Sequence, residues 1–273
     1  MVGSILATAL AAGIDEAPFP LLQLLVICLA ALSFVDDARG LSFPVRLVCH
    51  LAAAAAWTAA VLQLSTPIAF IMVVVAMAWM TNLFNFMDGA DGLAGGMALF
   101  GFGAYALAST DPLVVANVAV IVGAAAGFLV LNFHPAKVFM GDSGSIPLGF
   151  IAAALGVYGW DRGMWPIWFP ALVFAPFVLD ASVTLAKRLA RGERIWLAHR
   201  DHYYQRLVRM GWGHRRTALA EYSVMMYCSV AAFYLRTLGE SAQWLAGIGA
   251  ILPLAAAMAW VDTRWKQHVL ETA

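Results

Sequence analysis

The chain has few charged residues and a large excess of apolar ones. Of its 273 residues, 63% are hydrophobic and only 12% are charged, whereas a soluble domain is about half apolar and about a quarter charged. This scarcity of charge excludes an ordinary soluble domain and predicts a polytopic membrane protein. The formal net charge is zero, so the composition indicates no partner of either sign and no nucleic acid polymer as a ligand.

Cysteine is also scarce, and only Cys28, Cys49 and Cys228 are present. Each lies inside an apolar run, and their spacing fits neither a disulfide framework nor a metal site. We therefore interpret them as small core side chains. The first apolar run, residues 2–12, has no Lys or Arg before it, which argues against a signal peptide. We interpret this run as the end of a longer helix.

Apolar runs suited to spanning a membrane recur along the whole sequence. A spanning helix needs about 20 residues, and nine segments are candidates, with the run at 2–12 as a tenth. The nine predicted spans are 20–35, 44–63, 67–86, 92–109, 112–133, 144–160, 165–187, 218–237 and 241–262. The sequence therefore predicts an all-α, polytopic membrane bundle of about 9 to 10 transmembrane helices, with residues 1–273 forming one domain.

Lysine and arginine are distributed unequally between the two sets of alternate loops. One set includes the segment 187–217, which alone contains nine of them, and the other set contains only Arg162 and Arg236. Because positively charged loops face the cytoplasm, we assign the first set to that side. The polar loops of that side are 36–43, 87–92, 134–143 and 188–217. We predict that these four loops form one active face.

Two adjacent carboxylates, Asp36 and Asp37, stand at the end of an apolar run. Like charges this close repel each other unless a cation or a shared proton intervenes. Oxygen ligands without Cys or His beside them suit magnesium or manganese. A solvated helix end explains the pair equally well, and both interpretations stay open at this point.

A second polar cluster follows the span at 67–86. Asn82, Asn85, Asp88 and Asp91 recur every three residues, so they share one face if the helix continues. The glycines among them predict a turn whose backbone amides can approach a phosphate. A plain polar turn is the alternative, but the two asparagines extend back into the span, which favours a site.

The third cluster lies between two apolar runs. Asn132 ends a span, Lys137 adds a positive charge, and the sequence GDSGS places Asp142 at the start of the next helix, where anions bind well. Phe139 offers an aromatic face to a nucleotide base. The alternative is a capped loop in which Phe139 only packs against its neighbours.

The fourth cluster is the sequence HRDHYYQRL. His199 and His202 lie one turn apart if the segment is helical, and Arg200 and Arg206 flank them. The cluster suits a phosphate or pyrophosphate, and it suits an anionic lipid surface equally well. Asp180, an acid inside a predicted span, is interpreted as a helix-packing hydrogen-bond partner, with a place in the wall of the site as the alternative. Together the four clusters predict phosphoryl-type transfer to or from a lipid.

The order of these motifs resembles the polyprenyl-phosphate N-acetylhexosamine-1-phosphate transferase family, of the glycosyltransferase family 4 type. A DD pair precedes N-x-x-N-x-x-D-G-x-D-G-L-A at 82–94, N-x-x-P-A-x-x-F-M-G-D-x-G-S at 132–145, and a His-bearing loop. The resemblance implies transfer of a sugar 1-phosphate from a UDP-N-acetylhexosamine to undecaprenyl phosphate, with release of UMP and a requirement for Mg²⁺ or Mn²⁺. The His-bearing loop, HRDHYYQRL at 199–207, is called the His loop below. Its sequence looks closer to the O-antigen-initiating branch than to the muramoyl-pentapeptide branch.

The resemblance also implies roles for individual residues. Asp142 and Asp88 are the implied metal ligands, and Asp36 is a candidate to deprotonate or orient the lipid phosphate. The implied catalytic residues are Asp36, Asp37, Asp88 and His202. The implied substrate-binding residues are Asn85, Asp91, Asn132, Lys137, Phe139, His199, Arg200 and Arg206.

Members of this family carry a basic, glycine-rich segment after an earlier span, broadly P-x-P-R-G-G, which this sequence lacks. We therefore expect a truncated chain. A non-catalytic remnant with a scaffolding role and an ion-coupled transporter remain alternatives, although a transporter places its polar groups near the membrane midplane. The resemblance implies a multi-pass protein of the bacterial inner membrane with a cytoplasmic active site, and it leaves the sugar and a homodimer open.

Overall fold

The computed structural model describes residues 18–197 and 199–272, and within these ranges the fold is entirely helical. The helices are α1 (Phe19–Arg39), α2 (Phe43–Val61), α3 (Pro67–Phe86), α4 (Leu93–Ala108), α5 (Pro112–Asn132), α6 (Asp142–Asp161), α7 (Trp168–Val173), α8 (Ala175–Ala190), α9 (Tyr203–Leu207), α10 (Gly213–Leu235) and α11 (Glu240–Thr272). A π-helical turn, Val208–Trp212, joins α9 to α10. The predicted all-α membrane bundle is confirmed.

Seven helices within the described residues are long and apolar enough to cross a membrane. They are α1, α2, α3, α5, α6, the continuous stretch from α9 to α10, and α11. Two predicted spans differ from this set. The span 92–109 is the 16-residue helix α4, and the span 165–187 is divided into α7 and α8. The run at 2–12 lies outside the described residues.

The division between α7 and α8 occurs at Phe174, whose backbone leaves the helical region at φ −94° and ψ 12°. Pro176 follows in the first turn of α8. Proline has no N–H to donate, and its ring crowds the preceding turn, so a helix restarts more easily here than it continues. Prolines likewise stand in the first turns of α2, α3 and α5, where a missing N–H costs nothing.

Helix α6 lies at the centre of the bundle and contacts α1, α2, α3, α4 and α7. A Cβ added to Gly149 would lie 2.7 Å from the carbonyl oxygen of Met80, so the glycine lets α3 and α6 approach closely. The indole of Trp57 donates a hydrogen bond of 3.0 Å to the carbonyl oxygen of Ala154. These contacts fix the beginning of α6 beside the end of α3, where the polar clusters lie.

Candidate active site

Polar side chains converge where α3 ends and α6 begins. Asp88 lies two residues after α3, and Asp142 is the first residue of α6. Asn85 donates hydrogen bonds from Nδ2 to Asp142 Oδ1 at 2.7 Å and to Ser145 Oγ at 3.1 Å. The N-terminal end of α6 favours the negative charge of Asp142. Three residues that the sequence predicts for one site, separated by up to 57 positions, are therefore neighbours.

The protonation of Asp88 reflects this crowding. Burial, and then the negative charge of Asp142, raise the pKa of Asp88 to about 7, although a hydrogen bond with the backbone of Gly141 opposes the shift. A neighbouring divalent cation would remove the conflict between the two carboxylates. Asp88 therefore binds a proton far more readily than an exposed aspartate does unless a positive charge lies nearby.

The donor set fits magnesium. No group of three or more His, Cys, Asp or Glu side chains in the described part of the chain is arranged to hold a metal ion. Magnesium, however, is usually held by one or two carboxylates, while waters and substrate phosphates complete its octahedron. Asp88 and Asp142 supply the two carboxylates that such a site uses.

The raised pKa of Asp88 predicts a pH-dependent stability in metal-free buffer. A carboxyl group with a higher pKa in the folded state contributes stability that is present below its unfolded pKa, near 4, and is lost as the pH rises through about 7. We expect the melting temperature of the detergent-solubilised protein in EDTA to fall by a few degrees between pH 5 and pH 8. Asp88→Asn should flatten this profile, whereas Asp161→Asn, at the other end of α6, should not. An unchanged profile in Asp88→Asn would contradict the assignment.

Asp91 joins two loops to α10. Its Oδ2 lies 2.7 Å from Nδ1 of His134, and its Oδ1 lies 3.2 Å from Nδ1 of His214. Burial alone would raise the pKa of Asp91, but hydrogen bonds from His134 and from the Ala136 N–H, together with both histidines, lower it. Asp91 therefore stays ionised and crosslinks the loops. Neither histidine was predicted, because nothing in the sequence links His214 to a residue 123 positions earlier.

The loop before α6 has a buried base and an exposed tip. Asn132 is buried, accepts a hydrogen bond of 2.9 Å from the Gly92 N–H through Oδ1, and donates one of 2.8 Å from Nδ2 to the Val138 carbonyl. Both functional groups of Asn132 therefore bind the backbone of the protein itself. Lys137 and Phe139 are exposed, Phe139 to 74%, so their predicted contacts with a nucleotide remain predictions.

The two acids at the end of α1 have different surroundings. Asp36 is buried and accepts hydrogen bonds from Arg46 Nη1 at 2.8 Å and from the Leu41 N–H at 2.6 Å. Asp37 is exposed. Arg46 compensates the negative charge of Asp36, so this carboxylate already has a partner within the protein. The role towards the lipid phosphate that the family resemblance implies for Asp36 remains a prediction. Arg46 is not among the site residues that the sequence predicts.

Asp180 anchors the His loop. It accepts hydrogen bonds from the Tyr203 N–H at 2.9 Å and the Tyr204 N–H at 3.0 Å, and Nδ1 of His202 lies 3.1 Å from its Oδ1. Because Asp180 contacts Nδ1, Nε2 is the ring nitrogen of His202 that remains for a substrate. Asp180 packs helices together, as predicted, but it also positions the histidine that the sequence places in the site.

The other residues predicted in this loop have different environments. The ring of His199 lies 4.8 Å from that of His202, and burial, followed by the charges of His202 and Arg188, lowers the pKa of His199 to about 4. His199 is therefore neutral at physiological pH. Arg206 is buried and donates a hydrogen bond of 2.9 Å to Asp262 of α11, whereas Arg200 is exposed.

A cavity of about 530 Å³ lies between α2, α3, α8 and the His loop. Its polar lining residues are Arg46, His50, Asn82, Asn85, His199, His202 and Gln205. Most of the remaining wall is apolar and includes Leu47, Trp79 and Leu197. Fold and site together define an integral membrane protein with a carboxylate centre beside a cavity that has both polar and apolar walls.

Comparison with known proteins identifies the family. The model of glycosyl transferase family 4 matches residues 19–159, which include α1 to α5, all but the last two residues of α6, and the carboxylates of Asp88 and Asp142. The chain belongs to glycosyl transferase family 4.

Three relatives show which proteins the chain resembles. A probable undecaprenyl-phosphate N-acetylglucosaminyl 1-phosphate transferase of Bacillus subtilis (strain 168) is 27% identical over 85% of this chain and 70% of its own length. A phospho-N-acetylmuramoyl-pentapeptide-transferase of Halalkalibacterium halodurans is 35% identical over 60% of this chain and 50% of its own length. A decaprenyl-phosphate N-acetylglucosaminephosphotransferase of Mycobacterium tuberculosis (strain ATCC 25618 / H37Rv) is 30% identical over 63% of this chain and 51% of its own length.

Proposed function

We propose that this protein transfers an N-acetylhexosamine 1-phosphate from a UDP-sugar to undecaprenyl phosphate and releases UMP. The observation that carries the proposal is the convergence of Asp88, Asn85 and Asp142 beside a cavity with polar and apolar walls. The relatives named for transfer of an N-acetylglucosamine phosphate to a prenyl phosphate support the same reaction class. We further propose that the product starts a lipid-linked envelope glycan, such as an O-antigen.

The reaction is a displacement at the β-phosphorus of the UDP-sugar. An oxygen of the lipid phosphate attacks this phosphorus, the bond to the bridging oxygen breaks, and UMP leaves with that oxygen and its electron pair. Asp88 and Asp142 would hold Mg²⁺, which would neutralise charge on the diphosphate. The protein contributes mainly positioning and electrostatic stabilisation. We assign Nε2 of His202 to a diphosphate oxygen, since Asp180 occupies its other nitrogen. This contact uses the imidazolium form, in which both ring nitrogens carry a proton and donate.

We propose that this site faces the cytoplasm of a bacterial cell. The end of the bundle that holds it includes the loops with most of the lysine and arginine, among them the segment 187–217. Positively charged loops are retained on the cytoplasmic side, and nucleotide sugars are soluble substrates of that compartment.

The test is a UMP-release assay with the purified 273-residue chain, undecaprenyl phosphate, Mg²⁺ and a panel of UDP-N-acetylhexosamines. We expect UMP release that requires the lipid and stops in EDTA. Two controls omit the lipid and replace the UDP-sugar with UDP-glucose. No release from folded protein with any donor would contradict the proposal and favour a non-catalytic scaffold. Solute uptake into proteoliposomes without a lipid-linked product would instead favour a transporter.

A further inference from the structure

A buried histidine without a hydrogen-bond partner lies in the wall of the cavity. His50 is only 2% exposed, and neither Nδ1 nor Nε2 has a partner among the residues that the structure describes. Buried polar groups in proteins nearly always have a partner, so each exception requires an explanation. His50 belongs to the cavity lining, which makes the cavity the place where its missing partner would bind.

The surroundings of His50 indicate what kind of group this is. His50 lies one turn after Arg46 on α2, and Arg46, Asp142 and Asp36 are the charged residues that act on its ring. Asn82, on α3, is the polar side chain that faces the ring and interacts weakly with it. Its Nδ2 donates a hydrogen bond of 2.7 Å to the Ala78 carbonyl, and no hydrogen bond of normal length and angle joins Asn82 to His50. An imidazole N–H is a hydrogen-bond donor in either protonation state. Arg46 uses one N–H for Asp36, and its guanidinium group has four more. The two side chains therefore offer several donors to an anionic oxygen, although Asp36 and Asp142 also act on the ring.

The apolar wall indicates which substrate carries that anion. Leu47, Trp79 and Leu197 line the same cavity as His50. The apolar parts of a UDP-N-acetylhexosamine are limited to the base and the acetyl methyl group, so a hydrocarbon chain covers such a wall more completely. Trp79 also lines a second, almost entirely apolar cavity of about 270 Å³ between α3, α6 and α8. A prenyl chain with a phosphate at its end matches this succession of surfaces: its hydrocarbon covers the apolar wall and its phosphate reaches the polar one.

From these observations we infer that His50 donates a hydrogen bond to the phosphate of the prenyl-phosphate acceptor and holds it beside the carboxylate centre. The inference rests on the proposed function, since it assigns His50 to one of the two proposed substrates. A hydrogen bond to a charged group is stronger than one between neutral groups. Its loss should weaken acceptor binding about tenfold to a hundredfold.

The test compares His50→Leu, which cannot donate, with His50→Gln, whose amide can. The matched control is His268→Leu, in a histidine of α11 whose ring centroid lies 5.7 Å from that of Trp265 and which is outside the cavity lining. We expect His50→Leu to raise KM for undecaprenyl phosphate about tenfold to a hundredfold while KM for the UDP-sugar changes less than twofold. His50→Gln should recover part of the affinity, and His268→Leu should resemble the wild type.

A binding measurement without turnover separates this inference from the proposed function. Undecaprenyl phosphate should raise the melting temperature of the wild type and of His268→Leu, and it should raise that of His50→Leu much less. Equal stabilisation of all three proteins, or a change only in KM for the UDP-sugar, would overturn the role of His50 and leave the proposed reaction standing. A wild type that neither binds the lipid nor releases UMP would overturn the proposed function itself. If His50→Leu does not fold, His50→Met replaces it, because it fills a similar volume without a donor.

Discussion

Asp142→Asn is expected to lower turnover by about a hundredfold to a thousandfold while the bundle stays folded. The substitution removes a negative charge from the centre that would hold the metal and the diphosphate, where a single preorganised group typically accounts for this range. The fold should survive because asparagine retains Oδ1, which accepts the hydrogen bond from Asn85. Loss of the charge at the first turn of α6 costs only about 0.3–1 kcal/mol.

The measurement is kcat for UMP release together with the melting temperature of each protein. Asp161→Asn is the matched control, because Asp161 is the last residue of the same helix and lies at its opposite end. We expect Asp161→Asn to keep the wild-type rate. A folded Asp142→Asn protein that retains most of its turnover would remove Asp142 from the metal site, and the assignment of Asp88 would then lose its main support.

Asp142→Asn has a second consequence that does not depend on turnover. The charge of Asp142 is one reason that the pKa of Asp88 is raised to about 7. Without that charge, the pKa of Asp88 should move towards its ordinary value. The fall in melting temperature that we expect near pH 7 in EDTA should therefore move to lower pH in this variant. Coincident pH profiles of variant and wild type would show that the two carboxylates do not interact.

The parts of this protein that could be predicted from sequence are those with a local cause. The length of each apolar run fixes a spanning helix, and prolines such as Pro67 and Pro112 mark helix starts directly. The interruption at Phe174 was missed because the apolar composition continues across it and only the position of Pro176 indicates a restart. Length and hydropathy alone describe 165–187 as one helix.

The site shows the same limit. Asn85, Asp88 and Asp142 could be grouped because the motifs that contain them resemble those of a known family. The partners that hold these motifs in place could not be grouped, because each pairing joins separate helices or loops, 10 to 123 positions apart, and depends on how they pack. Arg46 with Asp36, His214 with Asp91, and His202 with Asp180 are all of this kind. Nothing in the local sequence distinguishes such an arginine or histidine from an ordinary loop residue.

Asp180→Ala is expected to affect both stability and turnover, because one buried carboxylate holds the start of the His loop. The substitution leaves the N–H groups of Tyr203 and Tyr204 without their acceptor and His202 without its carboxylate. Each buried donor that loses its acceptor costs about 1–3 kcal/mol. We therefore expect the free energy of unfolding to fall by about 3–5 kcal/mol, the range for breaking a buried charged pair. Turnover should fall with it, since His202 loses the contact that orients Nε2.

Loss of stability and loss of His202 orientation are separable by a second variant and a local measurement. Asp111→Ala removes the side chain that caps α5 by accepting the Leu113 N–H at 2.8 Å, which typically costs about 1 kcal/mol, and it lies outside the site. We expect Asp111→Ala to lower the melting temperature modestly and keep its kcat. Asp180→Ala should increase amide hydrogen exchange at Tyr203 and Tyr204 and lose kcat even at a temperature where it is fully folded. Normal kcat with faster exchange at those amides would show that the loop can move without harming the reaction, and His202 would then have no direct role in it.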